Sequence, residues 1–235
     1  MEILSKVLLL IHIIAGFSSL VLFWIPAFTR KGGEIHNLTG RWYIRGMWTV
    51  LATAVVLSIE NFVEGDINSA IFLGFLAILT ANPLWFGIAV LKNKKSLAPA
   101  TRRMHFYQNL LLFITGLALI IYGISLGGNG TLMIIFGVLG ASNGGMLLRL
   151  FKNTYQPRPW IVEHLAGMII SGIAAHTAFF AFGGRQLFAE ILTGYWMILP
   201  WVTPTVVGVF AIRLLEGKYT PQKKKNITTV TTFGQ

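Results

Sequence analysis

Residues 4–28 read LSKVLLLIHIIAGFSSLVLFWIPAF, and from Val7 to Phe28 this stretch holds no Asp, Glu, Lys or Arg. About 20 apolar residues, rising 1.5 Å each as a helix, cross the hydrocarbon core of a bilayer. Backbone in lipid must satisfy its own hydrogen bonds, so a run of this length reads as a helix. The run is longer than the apolar part of a secretory signal and no small-residue cleavage site follows it, so it reads as a retained span.

Six further stretches follow the same rule, and the seven run approximately over 4–28, 42–60, 67–91, 105–126, 130–149, 160–182 and 188–213. Glycine, proline and charge separate them, for example at Arg30-Lys31-Gly32-Gly33, Lys92-Asn93-Lys94-Lys95 and Gln156-Pro157-Arg158-Pro159. The whole chain agrees with this reading. Its 235 residues are 54% hydrophobic and 11% charged, with a mean hydropathy of +0.68. A water-soluble domain carries about a quarter charged residues. The expected architecture is therefore all-α, a polytopic bundle of seven transmembrane helices over residues 1–216. A basic tail over 217–235 completes the chain.

The net charge of +11 does not point to nucleic acid, because the cations lie between apolar spans and form no single stripe. They read as topology. With the N-terminus outside, the outer segments hold Lys6 and Arg185 against five acidic residues. The inner segments then hold the other seventeen basic residues against Glu34, Glu163 and Glu216. Cytoplasmic loops are the ones enriched in Lys and Arg, so the expected C-terminus is cytoplasmic. The expected location is the cell inner (plasma) membrane, crossed many times, with the lipid bilayer as partner and oligomeric state left open.

The chain has five histidines and no cysteine, which excludes disulfides, thiolate ligands and iron–sulfur clusters. Ionisable side chains within spans are costly and mark functional positions. Counted from the span ends, His12 and His176 lie at matching depth toward the outer side. His36, His105 and His164 open the second, fourth and sixth spans on the inner side. Neutral imidazole is the commonest protein ligand of zinc, copper and haem iron. His12 and His176 are thus the expected cofactor-binding pair. His36, His105 and His164 are the expected metal-binding group, with haem b or a transition metal (copper, zinc or iron) as the guest. On an inner face, His105, Gln108 and Asn109 share one side of a helix, and Asn82 and Asn143 add polar groups. Against these readings, a histidine beside arginines at a membrane face is ordinary, and one in hydrocarbon is also satisfied by a helix–helix hydrogen bond. His164 and His176, 12 residues apart, differ by about 18 Å of rise and about 120° of rotation, so spacing does not favour one cleft holding both.

No span carries a lysine in its interior, so a retinal Schiff base has no attachment point. Zinc-protease, di-iron desaturase, serine-hydrolase and phosphate-loop motifs are also missing from the sequence. Three function classes remain. The first is a haem- or metal-binding membrane protein, redox-active on a small lipid-soluble substrate as a membrane oxidoreductase. The second is a proton-coupled transporter, to which prolines 83, 200 and 204 would lend broken helices. The third is a non-catalytic assembly partner in a membrane complex.

His12, Ala15 and Gly16 in the first span, with Lys31-Gly32, His36, Gly40-Arg41 and Tyr43, form a recognisable cadence. It resembles an uncharacterised family of prokaryotic polytopic membrane proteins, a domain of unknown function with His-x-x-Ala-Gly and KG–His–GR–Tyr motifs. The likeness covers mainly the first 50 residues. It implies the membrane topology and a prokaryotic source, and no reaction.

Overall fold

The computed structural model describes residues 2–92, 94–152, 154–184 and 194–220. Among the described residues eight α-helices run in order: α1 (Glu2–Phe28), α2 (Glu34–Val63), α3 (Ile67–Lys92), α4 (Pro99–Ser125), α5 (Thr131–Ala141), α6 (Gly144–Phe151), α7 (Trp160–Ala178) and α8 (Leu199–Tyr219). There is no strand among the described residues. Seven stretches are long and apolar enough to cross a membrane, and the chain is a multi-pass membrane protein.

Several boundaries differ from those read in the sequence. Helices α2 and α4 begin before their apolar runs, at Glu34 and Pro99. Their early turns, with Arg41 and Arg45 in α2 and Arg102 and Arg103 in α4, remain helical because arginine is a good helix former whose stem covers apolar surface while its head stays in the polar zone. Arg45, for example, lies 4.9 Å over the ring of Trp42. The fifth span is broken into α5 and α6. At the break the Ser142 hydroxyl donates to the Leu139 carbonyl at 2.7 Å, and the Asn143 amide donates to Leu139 and Gly140 at 3.2 Å each. These side chains compete for carbonyls that would otherwise continue the helix. Helix α3, in contrast, passes through Pro83 as one element. The π-turn Phe179–Gly183 extends α7, and the turn Gly194–Ile198 precedes α8. Arg185, residues 188–193 of the last expected span and residues 221–235 of the expected tail lie outside the described residues.

Helices α1, α2, α3 and α7 close a ring, each packing on the next, with α7 also touching α1. Tyr43, Met47, Leu51, Ala77 and Leu84 fill it, flanked by Phe23, Met168 and Ala175. Helices α4 and α5 form a second layer against the outer side of α3 around Phe72, Phe75, Leu112, Leu119 and Met133. Helix α8 lies on α7, and its Val206 and Phe210 face outward, as do Ile14 and Phe17 of α1.

Two close approaches hold these layers together. A methyl on Gly116 of α4 would sit 2.6 Å from the Ala141 nitrogen, and one on Gly137 of α5 would sit 2.8 Å from the Gly116 carbonyl oxygen. A methyl on Gly167 of α7 would sit 2.5 Å from the Pro83 carbonyl oxygen and 2.7 Å from Gly87 Cα on α3. Lipid tails are as apolar as leucine, so helices in a bilayer associate by close packing of small residues and by hydrogen bonds.

Candidate functional site

The connections 29–33, 94–98 and 154–159 gather at one end of the bundle. Lys94 lies 4.6 Å over the Trp160 ring, and Arg158 Nη1 is 3.4 Å from Glu216 of α8. At the opposite end Tyr122 donates to Asn68 at 2.9 Å, and Ser5 bonds Glu60. The histidines are distributed along this axis.

His36 lies in the first turn of α2, where the chain doubles back on α1 through Gly32 at φ +76°. The last carbonyls of a helix lack intrahelical partners. Those of Pro26 and Ala27 accept from Lys31 Nζ at 2.7 Å each, and Pro26 also accepts from His36 Nδ1 at 3.1 Å. Burial holds the Lys31 ammonium below its usual pKa, and the charge of Lys218 adds to the effect. His164, in the second turn of α7, places its Nδ1 2.8 Å from the Gly87 carbonyl of α3. That reach exists because Gly87 and Gly167 bring the two backbones together. A carbonyl only accepts, so each ring carries a proton on Nδ1, and in the neutral imidazole the lone pair is then on Nε2. The His36 and His164 rings approach each other edge to face, with centroids 6.5 Å apart and planes at 70°.

The other three histidines have partners of their own. The His105 ring is stacked on Phe86 at 3.9 Å and 15°, lies 6.0 Å from Tyr155 and is 5% exposed. Asn109, one turn on, donates to the His105 carbonyl at 2.7 Å, while Gln108 Oε1 is buried without a partner among the described residues. His12 Nδ1 is 2.9 Å from Thr53 Oγ1 of α2. The Thr53 hydroxyl donates to its own helix, at Thr49 or Val50, so its oxygen accepts from His12. His176 uses both nitrogens: Nδ1 donates to Gly172 at 2.7 Å and Nε2 accepts from the Trp24 indole at 3.1 Å. Phe179, three residues beyond His176, touches Phe17, five residues inward of His12, at 6.4 Å. The structure thus brings His36 and His164 together and gives His12, His105 and His176 separate settings.

No group of three or more His, Asp or Glu side chains among the described residues is placed to hold a metal ion.

The contacts of several residues in this region carried no signal in the sequence. Tyr43 and Ser171 are 2.8 Å apart at the centre of the ring of helices. The Ser171 hydroxyl donates to Met168 at 2.9 Å, which leaves Tyr43 as the donor to Ser171. Thr53, Trp24 and Lys31 each complete a histidine's surroundings from another helix or a loop, which linear spacing does not reveal. Beside His164, Glu163 is 7% exposed and receives Arg158 Nη2 at 2.9 Å, the Arg158 backbone at 3.1 Å and the Tyr155 hydroxyl at 3.3 Å. Its hydrogen bond holds the Arg158 guanidinium above the usual arginine value. Burial, with the Glu163 charge, pushes the Tyr155 phenol up. This network ties the 154–159 connection onto α7 and fixes where α7, and with it His164, begins.

Comparison of the chain with protein-family models, with curated proteins and with solved structures finds no match.

Proposed function

We propose that the protein is a histidine-ligated haem- or metal-binding membrane protein, with His36 and His164 as its ligands through Nε2. The observation that carries this reading is the approach of two imidazoles from separate helices, centroids 6.5 Å apart, each pinned by Nδ1 on a backbone carbonyl. Such outer bonds fix the tautomer and orient the ring of a ligating histidine. Two imidazoles in line across one ion, with metal–nitrogen bonds of about 2.0–2.1 Å, have centroids roughly 6.3 Å apart. The observed separation is 6.5 Å. The two ring planes turn freely about their own metal bonds, so 70° is compatible with a trans pair.

A haem iron takes two axial ligands from protein, and two-coordinate copper takes two in line, so both fit the count. The nearby Lys31 ammonium favours a guest that brings negative charge, as haem does with its propionates. Bound haem iron or copper supplies one-electron chemistry, which agrees with a membrane oxidoreductase acting on a small lipid-soluble substrate. The protein's part is to hold the two rings, through the α1 terminus on one side and the α3–α7 contact on the other. In this reading the membrane is the plasma membrane, with the basic end cytoplasmic and the N-terminus outside, the orientation that the positive-inside rule favours.

The test is an optical spectrum and an elemental analysis of detergent-purified protein beside His36→Ala, His164→Ala, His12→Ala and His105→Ala. The expected result is a haem absorption band or about one equivalent of metal in the wild type. It is lost in the first two variants and kept in the last two. Folded wild-type protein that stays colourless and metal-free after incubation with haem, copper, zinc or iron overturns the reading.

One observation favours a second reading, a proton-coupled transporter. The pairs His12–Thr53, Tyr43–Ser171 and Trp24–His176 place exchangeable protons at several levels of the same ring of helices. Proton-dependent flux in proteoliposomes that is abolished by Tyr43→Phe is its signature.

A further inference from the structure

Apart from the histidines, the basic end of the bundle holds a cavity of about 370 Å³ between the α3–α4 connection and the start of α7. Lys94, Lys95, Ser96, Arg158, Trp160 and Glu163 line it, and Val90 and Leu97 give it an apolar floor. Its charge is unbalanced. Glu163 is already committed to Arg158 and to the Tyr155 hydroxyl. Among the described residues, neither Lys94 nor Lys95 has a carboxylate within ion-pair distance. Lys94 instead stands over the Trp160 ring, a contact that positions its ammonium at the wall without neutralising it. Two exposed, uncompensated ammonium groups and a serine hydroxyl thus border one concave site.

Its height in the membrane matters as much as its charge. The cavity lies where α3 ends at Lys92 and α7 begins at Trp160, the ends of two membrane-spanning segments. This is headgroup level, where tryptophan concentrates and where basic pockets between transmembrane helices receive anionic lipid headgroups. From this arrangement we infer that the cavity binds a phosphate group, and specifically the phosphate of an anionic phospholipid. Lys94 and Lys95 contact the phosphate, and the start of the acyl region lies along Val90 and Leu97. The site is independent of the imidazole pair and remains if that pair binds nothing.

The test uses the full chain in a neutral maltoside detergent and follows thermal unfolding during titration with phosphatidylglycerol, phosphatidylcholine or inorganic phosphate. Phosphatidylglycerol is expected to raise the melting temperature saturably, with phosphatidylcholine giving no such rise. Each lysine near an anionic headgroup contributes about 1 kcal/mol, so Lys94→Gln with Lys95→Gln is expected to weaken apparent affinity roughly thirtyfold. Lys94→Arg with Lys95→Arg is expected to retain it. Ser96→Trp, which fills the cavity and leaves its charge alone, gives a second route to the same loss. A saturable rise with inorganic phosphate that the glutamine variant loses also supports the site, and assigns it to a free anion. No difference between phosphatidylglycerol and phosphatidylcholine, without a phosphate effect, overturns it. So does an equal response in wild type, the glutamine variant and Ser96→Trp.

Discussion

Replacing Gly167 by alanine tests the contact on which the placement of His164 depends. The added methyl would lie 2.5 Å from the Pro83 carbonyl oxygen, and ordinary contact begins near 3.4 Å. Both that oxygen and Gly87 Cα, at 2.7 Å, are backbone atoms, so no side chain can turn aside to make room. Helices α3 and α7 must separate by the difference, about 0.9 Å. Overpacking of this kind costs about 1–3 kcal/mol. For a chain of this size that corresponds to a melting temperature lowered by roughly 2–12 °C. The same movement acts on the bond from His164 Nδ1 to the Gly87 oxygen. Adding about 0.9 Å to its 2.8 Å carries it to about 3.7 Å, past hydrogen-bonding range.

The control is Gly40→Ala. Gly40 is also inside a helix, and a methyl there meets nothing within 4 Å. Alanine in a helix interior is favoured over glycine by about 0.5–1 kcal/mol, so this variant is expected to melt at or slightly above the wild type. Thermal unfolding of both variants in detergent, read by tryptophan fluorescence, makes the comparison. If Gly167→Ala melts with the wild type and with Gly40→Ala, the close α3–α7 contact is refuted. The derived geometry of His164 goes with it.

Two further outcomes follow from hydrogen bonds whose direction is assigned. In the Tyr43–Ser171 pair, Ser171→Ala strands a buried phenol and is expected to cost about 1–3 kcal/mol. Tyr43→Phe leaves the Ser171 hydroxyl on Met168 and is expected to cost about 0.5–1.5 kcal/mol. Equal losses, or the reverse order, in thermal unfolding would contradict the assigned donor. At the other end, Asp66 accepts from the Ser69 backbone at 3.1 Å and caps the start of α3. The hydrogen bonds of Ser69 hold this carboxyl below its ordinary value of 3.8. Its folded pKa is thus depressed, so the capping contribution is present above the ordinary value and lost as pH falls through the folded one. Protection of the first-turn amides of α3 against hydrogen exchange, taken relative to the intrinsic rate at each pH, is expected to fall over that acid range in the wild type and to stay level in Asp66→Ala.

The seven membrane-spanning segments were legible because hydropathy is a local property, summed over one helix at a time. Helix starts were less so, because the arginines that interrupt the apolar runs at Arg41, Arg45, Arg102 and Arg103 do not interrupt the helix. The fate of a proline was not legible either. Pro83 leaves α3 continuous, whereas Ser142 and Asn143 divide the fifth span by taking helical carbonyls. The meeting of His36 with His164 needs the neighbour relations of α1, α2, α3 and α7, which no spacing within one helix contains. Depth counted along single helices set His12 beside His176. Their partners, Thr53 on α2 and Trp24 on α1, are fixed instead by which faces of those helices point into the ring.

The two layers of the bundle use the two available means of helix association in lipid, and the difference locates the chemistry. Helices α4 and α5 meet through Gly116, Gly123, Gly130 and Gly137, backbone against backbone, with no side-chain hydrogen bond between them at that seam among the described residues. The ring of α1, α2, α3 and α7 is instead crossed by His12–Thr53, Tyr43–Ser171, Trp24–His176 and His164–Gly87. If polar side chains served only to join helices, glycine packing would do that work at less desolvation cost, as it does in α4–α5. In most of these pairs the donors and acceptors consume one another. At His36 and His164 the partner is backbone, which takes Nδ1 of each ring, and the two rings lie with centroids 6.5 Å apart. The polar side chains thus gather on the ring of α1, α2, α3 and α7, and it is there, not at the glycine seam, that the two histidines of the proposed site approach each other.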